Sequence, residues 1–177
     1  MMTRPILTIL VALCCFFQVE KAEAQISTAD KAVLESLAAL IEKAPAVKAT
    51  FCWNDVTEGT LILQGKCFYM EMDEYKVYCD GTTKWYYNTA IDEVTQVPHD
   101  AASTDILENP SAFFNNKIAQ SDLLNKSIKK VHREGKGDAL TPLRVTYLGP
   151  DGGSYALLVR SVESNPGYPA SFFTYSK

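Results

Sequence analysis

GTLILQGKCFYMEMDEYKVYCDGTTKWYYNTAIDEVTQV is the sequence of residues 59–97, and this stretch decides the fold. Short runs rich in β-branched and aromatic residues alternate in it with pairs that contain Asp, Asn or Gly. Such runs are typical of strands joined by tight turns, and Asp80-Gly81 is a strong hairpin signal. The stretch therefore predicts an antiparallel meander with later strands at 75–79, 84–88 and 93–97.

The first part of this stretch, Thr60 to Met72, reads as one long strand whose apolar phase changes. Leu61 and Leu63 are apolar at odd positions before Gly65, whereas Phe68, Met70 and Met72 are apolar at even positions after it. A strict period of two cannot keep both sets on one face of a sheet. A β-bulge at Gly65 would change the phase, and we therefore expect a single, strongly curved strand with a bulge at this glycine.

A helix is predicted before the meander. Ser27 and Asp30 fit the capping pattern at its start, and apolar residues recur at helical spacing as far as Ala44. Pro45 stops the helix. A first strand at 47–53 and a polar turn at 54–58 follow.

The second half of the chain adds a short helix and more strands. Asn109-Pro110 gives a capping residue followed by proline at the first helical position. Strand patterns return at 127–133, 143–148, 155–162 and 172–175, with Gly- and Pro-containing turns between them. Eight or nine antiparallel strands tend to curl or close. We predict an α+β fold, a curved antiparallel β-sheet that forms an incomplete β-barrel with a helical lid.

The N-terminus has the pattern of a secretory signal peptide. Arg4 precedes an apolar run from Ile6 to Phe17, and Ala22-Glu23-Ala24 is a small-residue cleavage site. The apolar run is too short to span a bilayer comfortably. We expect cleavage after Ala24 and export of residues 25–177 as one domain.

Composition and motifs exclude several classes of function. The net charge of −4 provides no basic footprint for nucleic acid. The two histidines, His99 and His132, lack metal-ligand spacing, and no Cys-x-x-Cys or nucleophile-elbow motif occurs. We therefore expect no catalytic site, metal or cofactor.

Three cysteines follow the predicted cleavage site, so at most one disulfide can form among them. A hairpin centred near Asp73 would place Cys67 opposite Cys79, which makes these two the preferred pair. The alternative is three unbonded thiols, Cys52 among them, that pack as small hydrophobic side chains.

Aromatic and methionine side chains crowd residues 68–87, and several strands are apolar on both faces. One long helix cannot cover both faces of a sheet of this size. Some apolar surface is then left for a lipid or a protein partner.

Two motifs resemble the LolA-like periplasmic lipoprotein carriers. The first is the order of Gly-x-Leu, a basic residue, Phe or Tyr, then Asp-Gly-x-Thr-x-Trp-x-Tyr at residues 80–87 and Glu-Val at 93–94. The second is Asn-Pro-Ser-Ala-Phe-Phe at residues 109–114, which resembles the short helix of that family after the Glu-Val strand. The resemblance covers roughly residues 47–116.

The resemblance implies a monomeric carrier in the periplasm, whose half-barrel and lid enclose the acyl chains of lipoproteins. Such a carrier takes its cargo from an inner-membrane release complex and delivers it to an outer-membrane acceptor. Family members hold the lid partly with an arginine near the second and third strands, and here Lys66 is the candidate lid contact. The implied cavity and lid residues are Leu61, Leu63, Phe68, Met70, Trp85, Tyr87, Phe113 and Phe114.

A second interpretation uses the same scaffold differently. A periplasmic module could sense or bind a lipid or a protein through the sheet, with its interior filled by its own side chains. Fold does not fix function, and a cavity distinguishes the two interpretations.

Overall fold

The computed structural model describes residues 27–103, 105, 107–111, 128–136, 139–149 and 151–177. Within these ranges, one long helix accompanies a nine-stranded antiparallel sheet in the order β6-β5-β4-β3-β2-β1-β9-β8-β7. The predicted α+β class and antiparallel sheet are confirmed, and the sheet is not closed. The elements are α1 Thr28–Lys43, β1 Ala46–Trp53, β2 Thr57–Gln64, β3 Cys67–Met72, β4 Tyr75–Cys79, β5 Thr83–Asn88, β6 Glu93–Pro98, β7 Ile128–Arg133, β8 Leu143–Leu148, β9 Ser154–Asn165 and a 3-10 helix Ala170–Phe173.

Helix α1 begins and ends as the sequence predicts. The Ser27 side chain accepts a hydrogen bond from the Asp30 N–H at 3.1 Å, which satisfies a donor at the helix start. Leu34 and Leu37 are buried in the same apolar cluster as the sheet. The amphipathic stripe therefore positions the helix against the sheet.

Residues 60–72 form two strands instead of one, so the predicted bulge at Gly65 is wrong. Gln64 pairs with Cys67, and Gly65 and Lys66 form a two-residue turn between β2 and β3. Gly65 has φ of 60°, a conformation that glycine adopts without strain. A tight hairpin changes the apolar phase just as a bulge does, because its register pairs Gln64 with Cys67 and so every odd-numbered residue faces an even-numbered one.

The next two turns confirm the predicted meander. Asp73 and Glu74 connect β3 to β4, with Met72 paired to Tyr75. At the following turn, the N–H of Asp80 donates to the Thr83 carbonyl at 3.2 Å. The Asp80 carboxylate accepts hydrogen bonds from the Thr82 and Thr83 N–H groups, and Gly81 has φ of 93°. The hairpin is present, with Gly81 and Thr82 at its centre.

The C-terminal residues 166–177, here called the C-terminal strap, do not form the strand predicted at 172–175. They contain the 3-10 helix instead. The Gln64 side-chain amide holds the start of the strap: its Nε2 donates to the Tyr168 carbonyl at 3.0 Å, and its Oε1 accepts from the Tyr168 N–H at 2.8 Å. Phe172 packs edge-on against Tyr69 of β3, with ring centroids 5.5 Å apart.

Two predictions concern residues at or beyond the described ranges. The predicted signal peptide lies outside them. Pro110 and Ser111 are helical, as expected after Asn109, but the remainder of that predicted helix lies outside. In the part of the chain that the structure describes, no helix has the length and apolarity needed to cross a membrane.

Candidate functional site

One face of the sheet, here called the core face, carries a continuous apolar surface. Ladder pairing places Leu61 beside Met70 and Leu63 beside Phe68, and all four are buried. Ala49 and Phe51 of β1 and Leu157 and Val159 of β9 extend this surface, and helix α1 packs against it. Four of the predicted cavity residues, Leu61, Leu63, Phe68 and Met70, thus lie together on one face.

Trp85 and Tyr87 lie on the opposite face, here called the outer face, so their predicted place in the cavity wall is wrong. Trp85 pairs with Tyr78, which pairs with Tyr69, and both tyrosines belong to the outer face. Tyr87 contacts Tyr175 of the C-terminal strap, with centroids 5.3 Å apart. Successive side chains alternate across a strand, so the residues of β5 that face the core are Lys84 and Tyr86.

The predicted lid residues have different outcomes. Phe113 and Phe114 lie outside the described residues. Lys66 is exposed in the β2–β3 turn and forms no hydrogen bond or ion pair with any described residue. Nothing in the described structure therefore supports Lys66 as a lid contact.

The predicted Cys67–Cys79 disulfide is also wrong. The β3–β4 turn contains two residues, so the register pairs Cys79 with Phe68 instead of Cys67. Cys67 and Cys79 consequently face opposite sides of the sheet. Cys52, Cys67 and Cys79 are all free thiols, and burial raises the pKa of Cys79 to about 11.

Lys84 is the functional candidate that the sequence interpretation missed. It is only 2 % exposed, on the core face of β5, and its ammonium group forms an ion pair with the Glu108 carboxylate. The same ammonium donates to the Glu108 carbonyl at 3.2 Å. The Tyr86 hydroxyl donates to both carboxylate oxygens of Glu108, at 2.9 and 3.0 Å. We call Lys84, Tyr86 and Glu108 the β5 latch, because they attach residues 107–111 to the sheet.

The electrostatics of the β5 latch favour its charged form. Burial by itself would lower the pKa of Lys84, but the interactions with Glu108 and Tyr86 together outweigh burial and raise that pKa. For Glu108, burial acts to raise the pKa, and the bonds from Lys84 and Tyr86 prevail and lower it. Both partners therefore stay ionised at neutral pH. The alternating sequence of β5 does not by itself predict this buried ion pair.

His99 lies beside the β5 latch. Its ring packs edge-on against Phe68, with centroids 5.8 Å apart, and its buried Nδ1 has no hydrogen-bond partner among the described residues. Burial and the nearby charge of Lys84 lower its pKa. The lowered pKa favours a neutral imidazole, which lies between the β5 latch and the apolar side chain of Phe68.

Two spaces adjoin the core face. A crevice of about 20 Å³ lies between the sheet and residues 107–110, which is room for about one water molecule. Its described walls are Ala49, Phe51, Leu61, Met70, Leu107, Pro110, Leu157 and Val159.

A larger pocket of about 350 Å³ opens at the end of the sheet where the β2–β3 turn lies, a volume in the range of small-ligand sites. Its described walls are Ile41, Glu42, Ala44, Pro45, Val47, Leu63, Gly65 and Ser111.

Comparisons with known proteins do not assign the chain to a family, since no family model matches the sequence and no curated protein matches it. Within the described ranges, no group of three or more His, Cys, Asp or Glu side chains is placed to hold a metal ion. The geometry of the core face and of the β5 latch is therefore the basis for assigning a function.

Proposed function

We propose that the protein is a periplasmic carrier that binds the acyl chains of lipoproteins, or of related lipids, against its core face and delivers them towards the outer membrane. The observation that carries this proposal is the apolar core face beneath residues 107–111, which a polar latch attaches to β5. An apolar surface beneath a detachable cover is what a reversible lipid carrier needs.

The energetics of transfer explain why the cargo needs an enclosure. Each methylene exposed to water costs about 0.8 kcal/mol, so an acyl chain of roughly 15 methylenes would cost about 12 kcal/mol to carry bare. Side chains such as Leu61, Phe68 and Met70 offer the apolar surface that would replace water around the chain. Release at the acceptor then requires that the enclosure opens again.

In the part of the chain that the structure describes, the crevice beneath residues 107–110 has no room for the acyl chain that a carrier must enclose, so we take it as the closed state of the lid. A volume of about 20 Å³ admits no acyl chain, whereas the pocket of about 350 Å³ beside Leu63 and Ile41 offers an entrance. In the proposed cycle, residues 107–111 form the described part of the lid and move away from the sheet. A ligand shifts such an equilibrium only if it binds the open state more tightly, and the acyl chain meets this condition.

The β5 latch sets how easily the proposed lid opens. The Glu108 side chain is about half exposed, whereas Lys84 is almost fully buried, so water reaches the ion pair from the Glu108 side. An ion pair at this position holds the lid without closing it permanently. By resemblance to the LolA-like carriers, the cargo comes from an inner-membrane release complex and leaves to an outer-membrane acceptor.

Binding of a synthetic triacylated lipopeptide, measured by native mass spectrometry and by displacement of a fluorescent fatty acid, tests the proposal. We expect one lipopeptide per chain, with no binding of the same peptide lacking its acyl groups. Lys84→Met should accelerate release of the fluorescent fatty acid at least several-fold, whereas Lys66→Met, a matched change at an exposed lysine, should not. A protein that ignores the lipopeptide at all concentrations below its aggregation limit would overturn the proposal.

The narrowness of the crevice favours one alternative function, a periplasmic module that senses or binds a lipid or protein with its interior filled. Phe68 is fully buried and the core-face side chains contact one another beneath helix α1. The alternative predicts that Leu61→Trp, which would fill the crevice, leaves ligand binding unchanged. The carrier proposal predicts that this substitution abolishes lipopeptide binding.

A further inference from the structure

The sheet has two free edges among its described strands, and their chemistry differs. At one edge, β7 has four basic or ionisable side chains in six residues: Lys129, Lys130, His132 and Arg133. At the other edge, β6 has a single charged residue, Glu93, at its first position, followed by Val-Thr-Gln-Val-Pro. Charged side chains on an edge strand prevent pairing with other chains. The β7 edge has this protection and the centre of the β6 edge lacks it.

The hydrogen bonds of β6 show which of its backbone groups remain available. The His99 N–H donates to the Thr82 carbonyl at 2.8 Å, so His99 is directed towards β5. Because backbone direction alternates along a strand, Thr95 and Val97 are also directed towards β5. The backbone groups of Val94, Gln96 and Pro98 are directed away from it.

Pro98 occupies an outward position, where the missing N–H costs no bond within the sheet. The N–H groups of Val94 and Gln96 and three carbonyls then have no β-ladder partner among the described strands. Most of β6 is exposed, and Val94 is one of the few large apolar side chains exposed to solvent among the described residues, at 37 %.

We propose that β6 is a dimerisation edge that pairs antiparallel with β6 of a second copy of this chain. The monomer expected from the family resemblance is then only the dilute form. A second copy is the favoured partner because β6 is complementary to itself: it offers donors and acceptors alternately and has no charge at its centre. The same pairing through β7 would place lysine, histidine and arginine side chains opposite one another, which is destabilising.

The faces of the sheet restrict the register of this pairing. Val94 and Gln96 lie on the outer face with Tyr87 and Trp85, whereas Thr95 and Val97 lie on the core face. A two-fold axis perpendicular to the sheet keeps each face continuous across the dimer. An even-numbered residue must therefore pair with an even-numbered one, and an odd-numbered residue with an odd-numbered one. Two registers give the most hydrogen bonds, with either Thr95 or Gln96 on the axis.

Both registers form four backbone hydrogen bonds between the copies. With Gln96 on the axis, Gln96 exchanges two bonds with its own copy, and each Val94 N–H donates to a Pro98 carbonyl. With Thr95 on the axis, Val94 and Gln96 exchange two bonds on each side. Neither register places two like charges opposite each other, because Glu93 faces His99 in one and Val97 in the other.

Sedimentation equilibrium of the purified protein over a wide concentration range tests the proposal. We expect a reversible monomer–dimer equilibrium. Gln96→Pro should leave the protein monomeric at the concentration where the wild type is half dimeric, since it removes two of the four bonds in either register. Because the Gln96 N–H forms no ladder bond within the monomer, the urea midpoint of this variant should match that of the wild type at a concentration where the wild type is monomeric. Gln96→Thr keeps the N–H and should still dimerise.

Cysteine substitution identifies the axis. Thr95→Cys and Gln96→Cys each place a thiol opposite itself in one register, so one of the two variants should form a disulfide-linked dimer on mild oxidation. Glu93→Cys lies off the axis in both registers and should remain at the wild-type level of cross-linking. A wild type that stays monomeric at every concentration, a dimer that survives Gln96→Pro, or cross-linking of neither axis variant would each overturn the proposal.

Discussion

A sheet with one face in solvent normally has apolar side chains on its core face and polar ones on its outer face, and the two faces of β5 reverse this distribution. Its core face contains Lys84 and Tyr86, and its outer face contains Trp85 and Tyr87. On the core face, a charge is buried because Glu108 supplies the opposite charge from residues 107–111. On the outer face, the C-terminal strap adds Tyr175, whose ring packs against Tyr78 and Tyr87. The burial of a strand residue thus depends on the segment that covers its face.

The largest expected difference between the faces concerns two phenylalanines. Phe68 is fully buried on the core face, and Phe172 of the C-terminal strap is half-buried on the outer face. Phe68→Ala should lower the free energy of unfolding by about 4 kcal/mol, the cost of a cavity in a packed core. Phe172→Ala should cost about half as much, because part of its ring already contacts water. Urea denaturation of both variants measures the contrast, and equal losses would show that the strap is as tightly packed as the core.

The next comparison lies within the β5 latch and depends on its unequal burial. Glu108→Ala leaves the buried ammonium of Lys84 without its carboxylate, and we expect it to cost about 3 kcal/mol. Lys84→Met removes the buried charge and leaves a carboxylate that water reaches, so we expect about 1 kcal/mol. Urea denaturation of both variants tests this order. If Lys84→Met were the more damaging change, leaving Lys84 buried without its carboxylate would cost less than losing the lysine, which contradicts the expected order.

A smaller effect is expected where the outer face holds the C-terminal strap. Gln64→Ala removes two hydrogen bonds to the Tyr168 backbone and should cost about 1–2 kcal/mol. Local release should precede global unfolding, because the strap has no ladder bonds of its own. Amide exchange near Tyr168 should accelerate while exchange in β1 stays unchanged. Ser171→Ala, at an exposed strap residue, is the matched control.

The smallest expected effect is a pH dependence to which Glu108 and His99 contribute from the core-face side. The pKa of Glu108 is lowered, so its contribution is present above the unfolded value of 4.5 and is lost as pH falls through the folded value. The pKa of His99 is also lowered, so stability decreases as pH falls below 6.5. Chemical denaturation from pH 8 to pH 4 should therefore show a decline with two stages. His99→Gln should remove the upper stage only, and an unchanged upper stage would assign it to another group.

Local sequence signals predicted the order and type of most elements. Ser27 and Pro45 bound the helix, the Asp- and Gly-containing pairs mark the hairpins, and the strands at 75–79, 84–88 and 143–148 lie where alternation placed them. These signals succeed because capping and turn chemistry act within a few residues. The strand predicted at 172–175 failed because its aromatic pattern fits packing on the outer face as well as pairing in a ladder.

The site was predictable only in part. Leu61, Leu63, Phe68 and Met70, which the family resemblance implied as cavity residues, lie together on the core face, although they do so through a tight hairpin and not through the predicted bulge. The register of the β3–β4 hairpin differs by one residue from the one assumed for the cysteines, and this difference moves Cys67 to the other face. Lys84 was missed because its partner Glu108 lies 24 positions away and no periodicity connects them.

The sequence by itself determined that helix α1 and a long antiparallel sheet form, and where most of the turns lie, because these choices depend on neighbouring residues. The tertiary structure decided which side of each strand faces the core. In a strand that is apolar on both sides, the pattern of apolar residues does not show which side is buried. Only the covering segments, residues 107–111 on one side and the C-terminal strap on the other, assign Lys84 to the interior and Trp85 to the outer face.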